Sequence, residues 1–286
     1  MRKKILKILA LVVAIVLIIG VGLFANALVG NPVSKFLATK SANEYIEKTY
    51  SDKDFVIEEV TYDFKTGGYY ARVTSPTSID SHFSLSFDWM GKLVLDCYDD
   101  VTTGWNTAYR IGEEYRKEVD KVFENNEFPF FMHISHGDIE FTSEEYGEDS
   151  SKPEYAIYKE TLEIDGIYDI DELGKKAGKL TVYIYNNDVT EEKLAEILLN
   201  IKTVFDKSGV TFYAIDCVLE KSKPEASAEG GVPKDPPRIE VMNFLYSDIY
   251  EDGLVERVKK ANEEAIKYNE EQNKIKEAEI SEALSQ

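Results

Sequence analysis

Residues 58–73, EEVTYDFKTGGYYARV, decide the fold of the N-terminal half. Val60, Tyr62 and Phe64 alternate with Glu59, Thr61, Asp63 and Lys65, Gly67-Gly68 breaks the run, and Tyr69, Ala71 and Val73 resume it. A period of two with one apolar side marks a half-buried β-strand, and two such runs joined by a glycine pair read as an antiparallel hairpin. The pattern continues outward. Ser75-Pro76 ends the second strand, Phe83, Leu85 and Phe87 alternate with His82, Ser84 and Ser86, Asp88 to Gly91 turns, and Lys92 to Tyr98 makes a fourth strand. One polar side on strand after strand predicts an antiparallel sheet covered on a single face.

Helices flank this meander. Upstream, Ala38, Ala42, Tyr45, Ile46 and Thr49 recur at helical spacing, and Pro32 suits the first turn because its missing N–H is unpaired there anyway. Downstream, Ala108, Ile111, Gly112, Tyr115, Val119, Val122 and Phe123 form an amphipathic stripe, with Thr102 or Thr103 as the expected cap. Both helices are expected on the apolar face of the sheet, giving a helix-meander-helix domain over residues 30–126.

Further upstream, Arg2, Lys3, Lys4 and Lys7 run into an apolar stretch, Ile8 to Val29, whose one strongly polar residue is Asn26. A helix of that length reaches roughly 33 Å, the hydrocarbon thickness of a bilayer. Residues 1–29 therefore read as a basic cytoplasmic tail and a transmembrane anchor, with the remainder extracytoplasmic. Ala25-Asn26-Ala27 also matches a signal-peptidase site with the cut after Ala27. The uninterrupted core from Ile8 to Phe24 exceeds the roughly 7–15 residues of a signal peptide, so an uncleaved signal-anchor is the preferred reading.

Downstream, residues 127–252 read as a second, α/β two-layer domain. Asp171 is the expected cap of a short helix stopping at Gly178, Leu180 to Tyr185 is strand, and Thr190 opens a helix with the stripe Leu194, Ile197, Leu198, Ile201, Val204 and Phe205. Gly209 ends it and Phe212 to Leu219 is the next strand, so this β-α-β run implies a parallel pair. Glu144 to Glu154 is an expected polar loop, 221–237 an expected flexible loop, and Ile239 to Leu245 a strand. Residues 253–286 form a charged helix whose start docks on its own sheet. The fold class is α+β.

Setting aside the four N-tail cations, 29 Lys and Arg face 53 Asp and Glu, a formal charge of −24 on the exported part. Such a surface repels nucleic acid and favours cations or a basic exported protein or peptide partner, although solubility alone is the preferred reading of the charge. Cys97 and Cys217 each sit in an apolar alternation, as small core residues that are not expected to be joined.

Chemistry is sparsely signalled. His133, His136 and Asp138 are two imidazoles and a carboxylate within six residues, in what reads as an exposed aromatic-rich loop, and could hold a divalent metal. Their spacing matches no mechanistic motif. Asp165, Asp169, Asp171 and Glu172 fail the calcium-loop pattern, Asp99-Asp100 reads as a strand-to-helix corner, His82 lies on a polar strand face, and Ser135 and Ser150 have no identifiable base. The hydrolase, NTPase, zincin and thiol-redox signatures are absent, and no cofactor is expected.

Gly30-Asn31-Pro32, Ser75-Pro76, Asp80-Ser81-His82-Phe83, Gly104-Trp105-Asn106-Thr107 and Phe212-Tyr213-Ala214-Ile215-Asp216 resemble the YfjL-like proteins of Gram-positive bacteria. The resemblance implies a small membrane-anchored protein and carries no catalytic residues. At the level of fold alone, the helix-plus-meander is also similar to PepSY-type exported domains. The expected function is an extracytoplasmic binding or regulatory module, with a metal-dependent cell-surface hydrolase as the alternative.

Overall fold

The computed structural model describes residues 2–125, 128–144, 153–221 and 237–285. It is a mixed α+β structure with an apolar N-terminal helix. Its contacts group the chain into two compact units, residues 1–107 with 162–166, and residues 108–161 with 167–286.

In the first unit, α1 (Arg2–Val29) is long and apolar enough to cross a membrane, and none of its apolar window is buried within the chain. Length and composition at the N-terminus suit a signal sequence equally. Gly30, at φ 69°, ends it in the left-handed conformation that glycine adopts without steric penalty, and its N–H bonds the Asn26 carbonyl at 2.9 Å. Asn31 then caps α2 (Pro32–Thr49) by accepting from Ser34 N at 2.8 Å, with Pro32 in the first turn as expected.

β1 (Val56–Asp63), β2 (Gly68–Thr74), β3 (His82–Phe87) and β4 (Leu93–Asp96) form an antiparallel sheet in sequence order. Ala38, Ala42 and Ile46 of α2 bury against Val60, Ala71, Val73, Phe83, Leu85 and Phe87, the apolar side of the alternation. Small residues on the helix let it approach the sheet closely, and the large side chains come from the strands. The expected fourth strand stops at Asp96, whose Oδ2 accepts from Tyr45 at 2.9 Å and Tyr50 at 2.7 Å. Cys97 lies just beyond it, half-buried, while Cys217 is fully buried, and both are free. Asp99 and Asp100 form the first turn of a short helix, α3 (Asp99–Thr102), the corner expected of them.

A buried polar knot closes this unit at the β2–β3 connection. Asp80 Oδ2 accepts from Thr107 Oγ1 and from the Asp165 N–H, both at 2.9 Å, and Asp165 Oδ1 accepts from the Asp80 N–H at 2.9 Å. Asn106 donates to the Asp80 and His82 carbonyls at 2.8 and 2.6 Å. Asp165 holds φ 60°, a left-handed conformation that this reciprocal pairing fixes. Two of the short segments singled out in the sequence, 80–83 and 104–107, are thus the two sides of one hydrogen-bonded joint.

The helix expected to close the first sheet behaves otherwise. α4 (Trp105–Asn125) has Thr102 and Thr103 before it in and after α3, and Thr103 Oγ1 donates to the Asp99 carbonyl instead of capping α4. From Ala108 on, its stripe packs in the second unit: a Cβ on Gly137 would lie 2.5 Å from Val119, one on Gly174 2.7 Å from the Tyr115 ring, and Phe123 meets Phe205 edge-on at 5.2 Å. Periodicity told which face of α4 is buried, and three glycine and phenylalanine contacts decide on which sheet.

The second unit is built on the sheet β10-β9-β8-β5: β5 (Phe131–Ile139), β8 (Gly178–Tyr185), β9 (Ala214–Glu220) and β10 (Arg238–Leu245). β8 and β9 are parallel, as the β-α-β run implied, and the outer pairs are antiparallel. Two short parallel strands, β6 (Phe141–Thr142) and β7 (Ile157–Tyr158), lie apart. α5 (Ile170–Ala177) is capped by Asp169, which accepts from Glu172 N at 3.1 Å, and not by Asp171 as expected: the helix begins two residues earlier than a cap at Asp171 would place it, and Asp171 falls in its first turn. Thr190 caps α6 (Glu191–Ser208) and Gly209 ends it at φ 73°, both as expected. Leu194, Ile197, Leu198, Ile201 and Phe205 are buried. α7 (Leu254–Ser285) buries Leu254, Val258 and Ala265 and leaves Tyr268 and Ile275 exposed, so its start docks on its own sheet. Most of the expected loops at 144–154 and 221–237 lies outside the described residues.

Candidate functional site

One concave feature of the second unit is an open groove of about 750 Å³ between α4, the N-terminal turn of α5 and the C-terminal end of α6. α4 supplies Glu114, Lys117, Glu118, Lys121 and Glu124, which share one polar side of the helix because they fall at i, i+3, i+4, i+7 and i+10. Asp120 adds a further carboxylate, α5 brings Asp169 and Asp171, and Ser208, Gly209 and Val210 close the far wall.

Two glycine-dependent contacts and two hydrogen bonds hold these elements together. Gly174 and Gly178 lie so close to Tyr115 that a Cβ would sit 2.7 Å from its ring and 2.6 Å from its hydroxyl. That hydroxyl donates to the Thr211 carbonyl at 2.8 Å, and Thr211 Oγ1 donates to the Asp171 carbonyl at 2.9 Å. Tyr115 therefore pins α5 and the strand entering β9 beneath the groove, and its buried phenol is pushed well above the usual tyrosine range by desolvation, with the charges of Asp171 and Asp138 adding to it.

Electrostatically the groove is negative. Six carboxylates face two lysines, and one of those, Lys121, is paired with Glu118 at 2.7 Å. The α6 C-terminus adds the partial negative charge of the helix dipole. The Asp171 carboxyl is held above the usual carboxylate value, by desolvation first and then by the neighbouring charges of Asp169, Glu118 and Glu172. A carboxylate raised by like charges is stabilised when a cation enters its site, so the groove is chemically fitted to bind a cationic group.

The histidines lie elsewhere. His133 and His136 are both on strand β5, because β8 offers Phe131–Ile139 a full antiparallel partner. His133 sits at the bulge between Met132 and Ile134, stacked on Tyr185 at 3.9 Å and 7°, with Nε2 3.5 Å from Glu220 Oε1. His136 pairs in register with Thr181, four residues from Tyr185 along β8, or roughly 13 Å. His136 and Asp138 are brought together, both against Arg116: its guanidinium is 3.3 Å from His136 Nε2 and 3.6 Å from Asp138 Oδ2. The guanidinium lies against both side chains, whose Nε2 and Oδ2 are 3.8 Å apart, and His133 is held apart by stacking. Among the described residues no trio of His, Cys, Asp or Glu is arranged to hold a metal ion. Ser135 lies on β5, His82 is half-buried at the start of β3, and Ser150 falls outside the described residues.

Sequence reading took α4 only for its apolar stripe and missed the groove. The spacing of Glu114, Glu118 and Lys121 was a signal for one polar side, but its apposition to Asp169 and Asp171 is tertiary.

No curated protein and no solved structure matches the chain. The YfjL-like, N-terminal domain family matches residues 5–96 and the YfjL-like C-terminal domain family matches residues 114–259. With both of its domains matched in order and most of its length covered, the chain belongs to the YfjL-like family.

Proposed function

We propose that this is a single-pass protein of a Gram-positive cytoplasmic membrane, N-terminus inside, whose extracytoplasmic part is a binding module for a basic peptide or protein segment. The observation that carries the reading is the acidic groove of α4, α5 and α6, a concave site where desolvation and then neighbouring carboxylates raise Asp171. Its ligand is exported to the same side of the membrane.

The anchor reading draws on the basic tail and the long apolar run, and one contact supports its persistence. The scissile bond of a signal peptide, Ala27–Leu28, lies inside α1, and Tyr62 donates to the Ala27 carbonyl at 2.9 Å. Proteolysis needs an extended substrate, so a helical bond clasped by a folded domain is a poor one.

Two measurements test these statements. Mass spectrometry of membrane-extracted protein is expected to find the intact N-terminal segment; a mature chain starting at Leu28 would make this a secreted protein. A photo-crosslinking residue at Lys117, beside the groove carboxylates, is expected to capture a basic partner in cells, and one at Lys260 on α7 is not. Equal capture at both positions would remove the groove as the binding site.

A further inference from the structure

We infer that the end of the first unit that carries α1 lies on the bilayer itself, with the turns β1–β2 and β3–β4 and the first turn of α2 seated at the lipid headgroups. This rests on the reading of α1 as a membrane anchor.

The meander places both turns at one end of the sheet. Tyr62 pairs with Tyr69, Tyr69 with Phe87 and Phe87 with Leu93, a single row across all four strands just inside both turns. With strands about 4.8 Å apart, the two turns are roughly 10 Å from each other. The chain leaving α1 sits on this row: a Cβ on Gly30 would lie 2.6 Å from the Tyr69 hydroxyl and 2.7 Å from the Tyr62 ring, and Asn31 N donates to Tyr69 Oη at 2.8 Å. Gly91, in the second turn, approaches the Leu37 backbone of α2 in the same way. Two turns and a helix start therefore surround the point where α1 leaves the unit.

This end carries a set of side chains that turn formation does not explain. Val33, Phe36, Phe64, Trp89 and Met90 are each 60–68 % exposed. Turns favour small polar residues, and here Asp63 and Asp88 shape them: Asp63 Oδ1 accepts from Lys65 N at 2.9 Å, and Asp88 Oδ1 from Met90 N and Lys92 N at 2.8 Å. Phe64, Trp89 and Met90 are free of that duty and project outward. Lys35, Lys65 and Lys92, all exposed, stand beside them in a chain of formal charge −20. Aromatic and apolar tips ringed by lysines are the composition of a surface at the membrane–water boundary, where the tips enter the acyl boundary and the ammonium groups meet phosphates. The tether decides between a bilayer and another occupant: α1 delivers this end, and no other, to the lipid.

The two tryptophans of the chain report opposite ends of this unit. Trp89 is in the β3–β4 turn, and Trp105 adjoins Asn106 at the Asp80 knot, a β2 length or roughly 20 Å away. Full-length protein in nanodiscs of brominated phospholipid gives the test. In Trp105→Phe, Trp89 is expected to lose emission relative to unbrominated lipid, and in Trp89→Phe, Trp105 is expected to keep it. A tryptophan-free chain with Leu17→Trp reports α1, and the same background with Phe64→Trp repeats the test at the other turn should Trp105→Phe misfold. Quenching at Leu17→Trp with none at Trp89 or Phe64→Trp overturns the inference and leaves the anchor standing. Trp89 unquenched by lipid but shielded from aqueous iodide would assign the surface to a protein, and also overturns it. No quenching at Leu17→Trp removes the anchor, and the inference with it.

Discussion

Gly30→Ala tests the joint between α1 and the first sheet. Two independent costs meet there. An alanine at φ 69° takes a left-handed conformation costing roughly 1–2 kcal/mol. Its Cβ would also stand 2.6 Å from the Tyr69 hydroxyl and 2.7 Å from Tyr62 Cγ, and neither ring can yield: Tyr69 is buried and its hydroxyl both accepts from Asn31 N and donates to the Asn31 carbonyl, while Tyr62 bonds Ala27. Overpacking of that kind costs about 1–3 kcal/mol, for a total of roughly 2–5 kcal/mol. Gly67→Ala is the matched control, because Gly67 also has φ 69° and nothing within 4 Å of its Cβ position. Both tryptophans lie in the first unit, so denaturant unfolding of the micelle-bound chain followed by tryptophan fluorescence reads that unit alone. Gly30→Ala is expected to unfold at clearly lower denaturant than Gly67→Ala. Equal midpoints would refute the packed joint and leave Gly30 an ordinary helix end.

Other consequences follow from the same contacts. Asp80→Ala strips the acceptor from Thr107 and the Asp165 N–H in a buried site, and is expected to destabilise the first unit by roughly 2–5 kcal/mol in the same assay. The Tyr246 phenol is pushed up to about 12, by burial and then by Asp206, and those of Tyr50 and Tyr115 higher. A folded value raised above the unfolded one near 10 means that stability is full below pH 10 and falls as pH rises through the folded values, so Tyr246→Phe should reduce the loss of stability above pH 10, as alkaline denaturant melts will show. Asp171, raised above its ordinary 3.8, contributes stability that is present below that value and lost as pH rises through its folded one; Asp171→Asn should flatten that slope and leave the chain more stable at neutral pH, as acid-range melts will show.

The alternation around Val60 and Tyr69 was legible because one covered face imposes a period of two, and α2, α6 and β8–β9 followed from their apolar stripes with Pro32, Thr190 and Gly209 as the punctuation. What escaped was decided by tertiary partners. The α4 stripe names a buried face without naming the sheet that buries it. The stretch around His133 was hard to read because its mixture of Phe, Pro, His and Ser shows no clear period, and pairing with β8 makes it strand. Asp171 and Asp169 are both capping residues near one helix start, and backbone conformation alone selects between them. Of the candidate site, the acidic excess was visible in composition. Its concentration between α4 and α5 depends on Tyr115 meeting Gly174 and Gly178, which no local pattern encodes.

The binding reading is tested most directly by titrating the full-length protein in detergent with an oligolysine peptide by calorimetry, at low and high salt. Wild type should bind, less tightly as salt rises. The groove variant Glu118→Gln/Asp171→Asn is expected to lose most of that affinity, while Glu256→Gln/Glu264→Gln on α7, which removes the same charge, retains it. Equal weakening by both pairs would show that the peptide senses only the overall charge, and would contradict a binding site in the groove.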